Sequence, residues 1–254
     1  MIDLTGRRVL VTGGSRGIGA ACCRRLARAG AAVAVHYRSD HAAAEEVLAA
    51  CREEGSAAAE AHLTVAADLA EPDGAERLFE RLAGAWDALD CLVNNAGVWE
   101  RNPIDTLDPD RLARTWALNV TGVFACTALA VPLLRRSPDG NVVNISSTAG
   151  QRGEAEYSPY AASKGAVIAA TKSWSTELAP EVRVNAVAPG WVDTDMCDEV
   201  FADGGRERIA AAIPLARVAS PDDIAGPVVF LASPLARHVT GEILNVNGGS
   251  VLAG

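Results

Sequence analysis

The run from Arg8 to Gly30 narrows the possible folds most. It is a short apolar segment, Arg8-Val9-Leu10-Val11, then Thr12-Gly-Gly-Ser-Arg-Gly-Ile-Gly19, then a helix predicted over Ala20 to Ala29. A buried strand, a glycine turn and a helix, in that order, is the context in which a glycine pattern implies phosphate binding. Glycines remove the side chains that would hold a pyrophosphate off the backbone. The helix N-terminus adds unpaired amides and the positive end of a dipole. Gly13, Ser15, Arg16, Gly17, Ile18 and Gly19 are therefore candidate cofactor contacts.

A second strand, Ala32 to His36, closes a βαβ unit. Many NAD-binding units of this kind end that strand with a carboxylate for the ribose hydroxyls, whereas a nearby arginine accommodates the extra phosphate of NADP. Here the strand runs into Tyr37, Arg38 and Ser39, with Arg16 in the glycine loop and no carboxylate at the strand end to repel a phosphate. This favours NADP(H), with NAD(H) as the alternative; either arginine can equally be a solvated surface charge.

Downstream the chain keeps alternating. A helix is predicted over Ala42 to Glu54, a strand over Ala61 to Ala67 ending at Asp68-Leu69, a helix over Pro72 to Ala85, and a strand over Cys91 to Val93 ending in Asn94-Asn-Ala-Gly97. Such alternation predicts an α/β fold, a Rossmann-type doubly wound parallel sheet with helices on both faces. Ligands of such sheets bind beyond the carboxyl ends of the strands, where Gly13 to Gly19, Arg38, Asp68 and Asn94 to Gly97 would line up. No repeat or linker divides residues 1–254, so one domain is expected.

Composition removes several function classes. With 49% apolar and 22% charged residues the chain reads as globular, and its net charge of −9 recommends neither nucleic acid nor an anionic membrane as partner. The six cysteines show no C-x-x-C pair or metal-ligand spacing and read as buried free thiols of a reducing compartment. The four histidines are scattered, which points to structural or surface roles and to no metal site. Met1 to Gly6 leads through Arg7-Arg8 straight into a strand without a signal-like apolar region, so a cytoplasmic location is expected. Thr115 to Leu134 carries no charge, but Asn119, Thr121, Gly122, Thr127 and Pro132 favour a buried helix over a membrane span.

The chemistry concentrates between Asn144 and Lys164. Tyr160 and Lys164 stand four residues apart, one turn along a helix face. A phenol titrates near pH ~10, so its use near neutrality needs something that stabilises the phenolate, and a lysine ammonium one turn away can do so. Ser147, thirteen residues before Tyr160, follows the β-branched run Asn141 to Ile145, where a strand gives way to a loop. A hydroxyl there can hold a carbonyl oxygen against the phenol. Ser146 competes for that role but reads as a loop hydrogen-bonder, and Tyr157 has no lysine four residues on.

Thr12-Gly-x-x-x-Gly-x-Gly19, Asp68-Leu69, Asn94-Asn-Ala-Gly97, Asn119, Ser147, Tyr160-x-x-x-Lys164 and Pro189-Gly-x-x-x-Thr194 together resemble the short-chain dehydrogenase/reductase family over essentially the whole chain. The GGSRGIG turn and the ending Thr240-Gly-x-x-Leu-x-Val-Asn-Gly-Gly249 are similar to the 3-oxoacyl-acyl-carrier-protein reductase type. The resemblance implies that Tyr160 is the general acid of ketone reduction, that Lys164 lowers its pKa and binds the nicotinamide ribose, and that Ser147 orients the substrate oxygen. It implies that Asn119 bends its helix and helps hold a relay water. Asp68 and Leu69 would sit at the adenine, Asn94, Ala96 and Gly97 along the adenosine, and Pro189, Gly190, Val192 and Thr194 around the nicotinamide amide.

Trp99 and Trp191 follow two of these motifs directly and read equally as pocket wall or core. Residues 195 to 217 break the strand-helix rhythm with Gly204-Gly205, as a mobile substrate lid would. Small residues after Tyr160 (Ala161, Ala162, Gly165, Ala166, Ala169 and Ala170) let another helix approach, and the resemblance implies a homotetramer. The substrate is expected to be a small carbonyl or alcohol: a 3-oxoacyl thioester, possibly carried on acyl-carrier protein, or a specialised biosynthetic ketone, sugar or steroid-like alcohol. The remote alternative is a non-catalytic cofactor sensor, which would be expected to have lost one of Asn119, Ser147, Tyr160 and Lys164.

Overall fold

In a computed structural model that describes residues 2–252, seven strands form one parallel sheet in the order β3-β2-β1-β4-β5-β6-β7. They are β1 Arg8–Val11, β2 Ala32–Tyr37, β3 Leu63–Ala66, β4 Cys91–Asn94, β5 Gly140–Ile145, β6 Val182–Pro189 and β7 Ile243–Val246. The helices are α1 Gly17–Arg28, α2 His41–Glu54, α3 Gly74–Ala83, α4 Pro109–Trp116, α5 Val123–Leu134, α6 Thr148–Arg152, α7 Ser158–Glu177, α8 Asp198–Phe201, α9 Gly205–Ala212 and α10 Pro221–Ala232.

The strands are apolar on both sides because each side faces a helical layer. Val9, Val11, Val33, Val35, Cys91 and Val93 pack with Cys22, Leu26, Val47, Ile224 and Val228 from α1, α2 and α10. The intervening residues Leu10, Ala34 and Leu92 point the other way, onto Leu78, Leu82, Cys126, Ala130 and Leu134 from α3 and α5. Leu10 is fully buried, so truncating it to Ala costs about 2–5 kcal/mol.

Three local expectations shift. α1 begins at Gly17 rather than Ala20, since the last glycines of the turn form its first turn. β3 is shorter than expected because Ala59–Ala61 is a 3-10 turn. The apolar segment lies within a helical path, Pro109–Leu134, that is long and apolar enough to cross a membrane. Its Cys126, Ala130 and Leu134 are nevertheless fully buried in the core. Residues 117 to 122 of that path are π-helical.

The order reverses at β1, whose neighbours are β2 on one side and β4 on the other. Connections leave the carboxyl ends of β1 and β4 in opposite directions there, which opens a crevice.

Candidate active site

A cleft of about 490 Å³ occupies that crevice. Gly13, Ser15, Arg16, Gly17, Ile18, Arg38, Ser39, Asp68, Leu69, Ala96, Gly97, Pro189, Gly190, Val192 and Thr194 line it, as do Ser147, Tyr160, Lys164, Trp99 and Trp191. Gly19, Asn94 and Asn119 do not line it.

Gly19 faces inward: a Cβ there would lie 2.1 Å from the carbonyl oxygen of Gly13, so this glycine lets α1 close against the turn. Asn94 turns into the core, where its Nδ2 donates to Thr127 Oγ1 at 3.0 Å and Asn144 Oδ1 at 2.9 Å and ties β4 to α5 and β5. The adjacent Asn95 lines the cleft instead, with Nδ2 donating to the carbonyls of Thr12 and Gly13. Asn119 is fully buried in the π-helical segment. Its Oδ1 accepts the Val98 N–H at 2.9 Å, and its Nδ2 donates to the Val98 carbonyl at 2.9 Å and Ser163 Oγ at 3.1 Å. The expected distortion of that helix is thus a change to π geometry, common where a helix meets a functional site.

At the glycine turn, Arg16 is the N-cap of α1 and makes no side-chain cap, which leaves the first-turn amides to a ligand. The loop is held from below by His36, whose Nδ1 accepts the Gly13 N–H at 3.0 Å and whose backbone carbonyl accepts the Gly14 N–H at 2.7 Å. His36 lines the cleft floor as well, a role its isolated position in the sequence did not signal. Asp40 also reaches the rim near Arg38 and Ser39, although the strand end itself has no carboxylate. Its Oδ1 accepts the Ala43 N–H as the cap of α2. These features fit a dinucleotide: open amides at a helix start, a loop with no room for side chains, and two arginines beside it.

Across the sheet lie Tyr160, Ser147 and Lys164. Ser147 caps α6, with Oγ accepting the Ala149 N–H at 3.1 Å, and it lines the cleft together with Tyr160. Ser146 points away, donating to the Lys164 carbonyl at 2.9 Å. Burial pushes the Tyr160 hydroxyl up to about 12, against the opposing effect of the neighbouring Ser147 hydroxyl. Burial likewise pushes Lys164 down to about 8; its Nζ donates to the Ile145 carbonyl at 2.9 Å and stands 5.9 Å from the centre of the Tyr160 ring. In this arrangement burial is the larger influence on the phenol, and the Lys164 ammonium donates to the Ile145 carbonyl. Tyr160 stays protonated near neutral pH.

The far end of the cleft is aromatic. Trp99 stacks on Tyr157 with ring centres 4.4 Å apart, and Trp191 meets Trp99 edge-on at 5.8 Å. Phe201 of α8 lies 6.0 Å from Trp191, and Arg206, paired with Asp193, covers Phe201. Trp99 Nε1 donates to Glu154 Oε2 at 3.2 Å. Glu154 and Arg152 line this end too, and nothing in the sequence singled them out; Met196 and Cys197, which also line it, belong to the segment expected to form the lid. All six cysteines are buried and unpaired.

A family model described as "Enoyl-(Acyl carrier protein) reductase" matches residues 13–250. A 3-oxoacyl-[acyl-carrier-protein] reductase of Synechocystis sp. is 39% identical over 99% of this chain and 100% of its own length. Among solved structures, a glucose/ribitol dehydrogenase of the short-chain type from Brucella melitensis superposes with a TM-score of 0.92 at 32% identity, covering 99% of each chain. The angucycline C-6 ketoreductase LanV with bound NADP superposes with a TM-score of 0.90 at 34% identity, covering 99% of this chain and 98% of its own. The chain belongs to the short-chain dehydrogenase/reductase family, oxidoreductases that act on CH–OH and C=O groups.

Proposed function

We propose that this protein catalyses NADP(H)-dependent hydride transfer between nicotinamide and a ketone or secondary alcohol. One observation carries the reading: Tyr160, Ser147 and Lys164 line the same cleft as the open amides of α1. A nicotinamide bound in this cleft would supply or take up the hydride. Tyr160 gives its hydroxyl proton to the carbonyl oxygen, Ser147 holds that oxygen, and Lys164 binds ribose hydroxyls through its ammonium protons. Asn119 fixes the Val98 backbone beside them. Arg16 and Arg38 give the 2′-phosphate two cationic partners.

The first substrate to test is a 3-oxoacyl thioester, free or on acyl-carrier protein, because that is the substrate in the Synechocystis relative's name. A specialised biosynthetic ring ketone is the second reading, favoured by the two indoles beside the hydroxyls. Residues 195–217 serve as the lid, since Asp195, Met196 and Cys197 line the cleft while Arg206 and Phe201 brace Trp191. A cytoplasmic homotetramer is the working assembly, supported by apolar Trp116, Phe124 and Leu129 left exposed on α4 and α5. The test is loss of reduced-nicotinamide absorbance with NADPH and NADH on an acetoacetyl thioester, a cyclic ketone and a quinone. Turnover faster with NADPH supports the reading. Turnover of none of them contradicts it.

A further inference from the structure

The substrate end of the cleft holds a group that the hydride-transfer machinery does not use. Glu154 sits in the loop between α6 and α7, half-buried, with its carboxyl group inside the cleft. Trp99 holds its Oε2 at 3.2 Å, and no other protein hydrogen bond to this carboxyl is found among the described residues. Trp99 is itself held flat by Tyr157, and Tyr157 lies on the same loop as Glu154. That loop is pinned at its outer side: Arg101 makes two hydrogen bonds to Glu156, at 2.6 and 3.1 Å, and the Asn102 N–H donates to the Glu156 carbonyl at 2.8 Å. The carboxylate and the indole are thus fixed with respect to each other before any substrate enters.

We propose that Glu154 is a specificity-determining residue, whose Oε1 accepts a hydrogen bond from a hydroxyl on a flat, uncharged ring ketone packed against Trp99 and Trp191. The proposal rests on the carbonyl-reducing reading of the cleft and deepens its second form. Three arguments lead to it. Indole faces reward flat, rigid substrates over a flexible acyl chain, which loses more freedom on binding. A hydroxyl donating to this carboxylate makes a charge-assisted bond, roughly twice as strong as one between neutral groups. The carboxylate also repels a second anion, so a phosphate-bearing thioester gains nothing from it, although Arg152 at the same end offsets part of that repulsion.

The test compares a hydroxytetralone with the tetralone lacking the hydroxyl, on the wild type, Glu154→Gln and Glu154→Leu. Two readouts serve: kcat/KM with NADPH, and affinity measured by quenching of tryptophan fluorescence, which needs no turnover. The wild type should prefer the hydroxylated ketone by about tenfold to a hundredfold, the range for a hydrogen bond to a charged group. Glu154→Gln, which keeps the shape and the bond from Trp99, should shrink that ratio, and Glu154→Leu should bring it to about one. A ratio near one in the wild type, or the same ratio in all three proteins, overturns the proposal. Equal turnover of both ketones would leave the reductase reading standing, whereas failure of every carbonyl compound, the acetoacetyl thioester included, would remove both.

Discussion

The imidazole of His36 joins two loops: its Nδ1 accepts the Gly13 N–H at 3.0 Å, and its Nε2 lies 3.0 Å from the carbonyl oxygen of Ala67. These contacts fix the tautomer, with the proton on Nε2, and burial pushes the ring down to about 4, so it is neutral at physiological pH. The glycine turn is thereby attached to the ends of β2 and β3.

Replacing His36 with Leu should leave the Gly13 N–H without its partner. Such a loss costs about 1–3 kcal/mol, and the turn it loosens is the one proposed to hold the pyrophosphate. We predict a lower Tm and NADP(H) binding weakened about tenfold, read by calorimetry. Unchanged affinity would show that the turn holds its shape without the ring.

The same ring predicts a pH dependence. Its pKa falls from 6.5 in the unfolded chain to about 4 in the fold, so between those values the unfolded state binds the extra proton. Stability contributed by neutral His36 is complete above pH 6.5 and is lost as pH falls toward 4, a change of about 3 kcal/mol at most. Urea midpoints measured across that window should fall with pH, and His36→Asn should flatten the slope; parallel curves for the two proteins would rule the ring out as the source.

A methyl group at Gly97 would lie 3.1 Å from Asn119 Oδ1 and 3.5 Å from Lys164 Nζ. Gly97→Ala should therefore press Asn119 back by a few tenths of an ångström while only touching Lys164, and kcat should drop by about tenfold, as small misplacements near reacting groups do. Far-ultraviolet circular dichroism should stay the same. Full activity in this variant would mean that Asn119 can yield without disturbing the reacting groups.

Arg16 and Arg38 predict a cofactor effect. If they meet the 2′-phosphate, Arg38→Ala should raise KM for NADPH by about tenfold, the low end for a charge-assisted contact, and leave KM for NADH almost unchanged. A parallel rise for both cofactors would assign Arg38 to the shared part of the dinucleotide.

Much of this was legible because parallel strands covered on both faces must be continuous apolar runs, and such runs ending in glycine or asparagine mark the sheet's carboxyl edge. The order of Tyr160, Lys164 and Ser147 was readable for the same reason: each follows from its place on a strand end or a helix face. Asn94 and Asn95 were not separable, because side chains alternate at a strand end and the register decides which one enters the core. Glu154 and His36 gave no signal, since a loop carboxylate and a lone histidine look like solvated surface until the fold encloses them. The bend at Asn119 is implied by the family resemblance, and its π-helical geometry becomes visible only in the structure.

The central claim is that Tyr160 is the proton donor of a carbonyl reduction. The direct measurement is NADPH-dependent turnover of a substrate accepted by the wild type, repeated with Tyr160→Phe, alongside NADPH affinity from nucleotide fluorescence. Turnover should fall by at least about a hundredfold, within the usual contribution of a positioned acid, with affinity changed less than about threefold. Retained turnover in Tyr160→Phe would contradict the acid role.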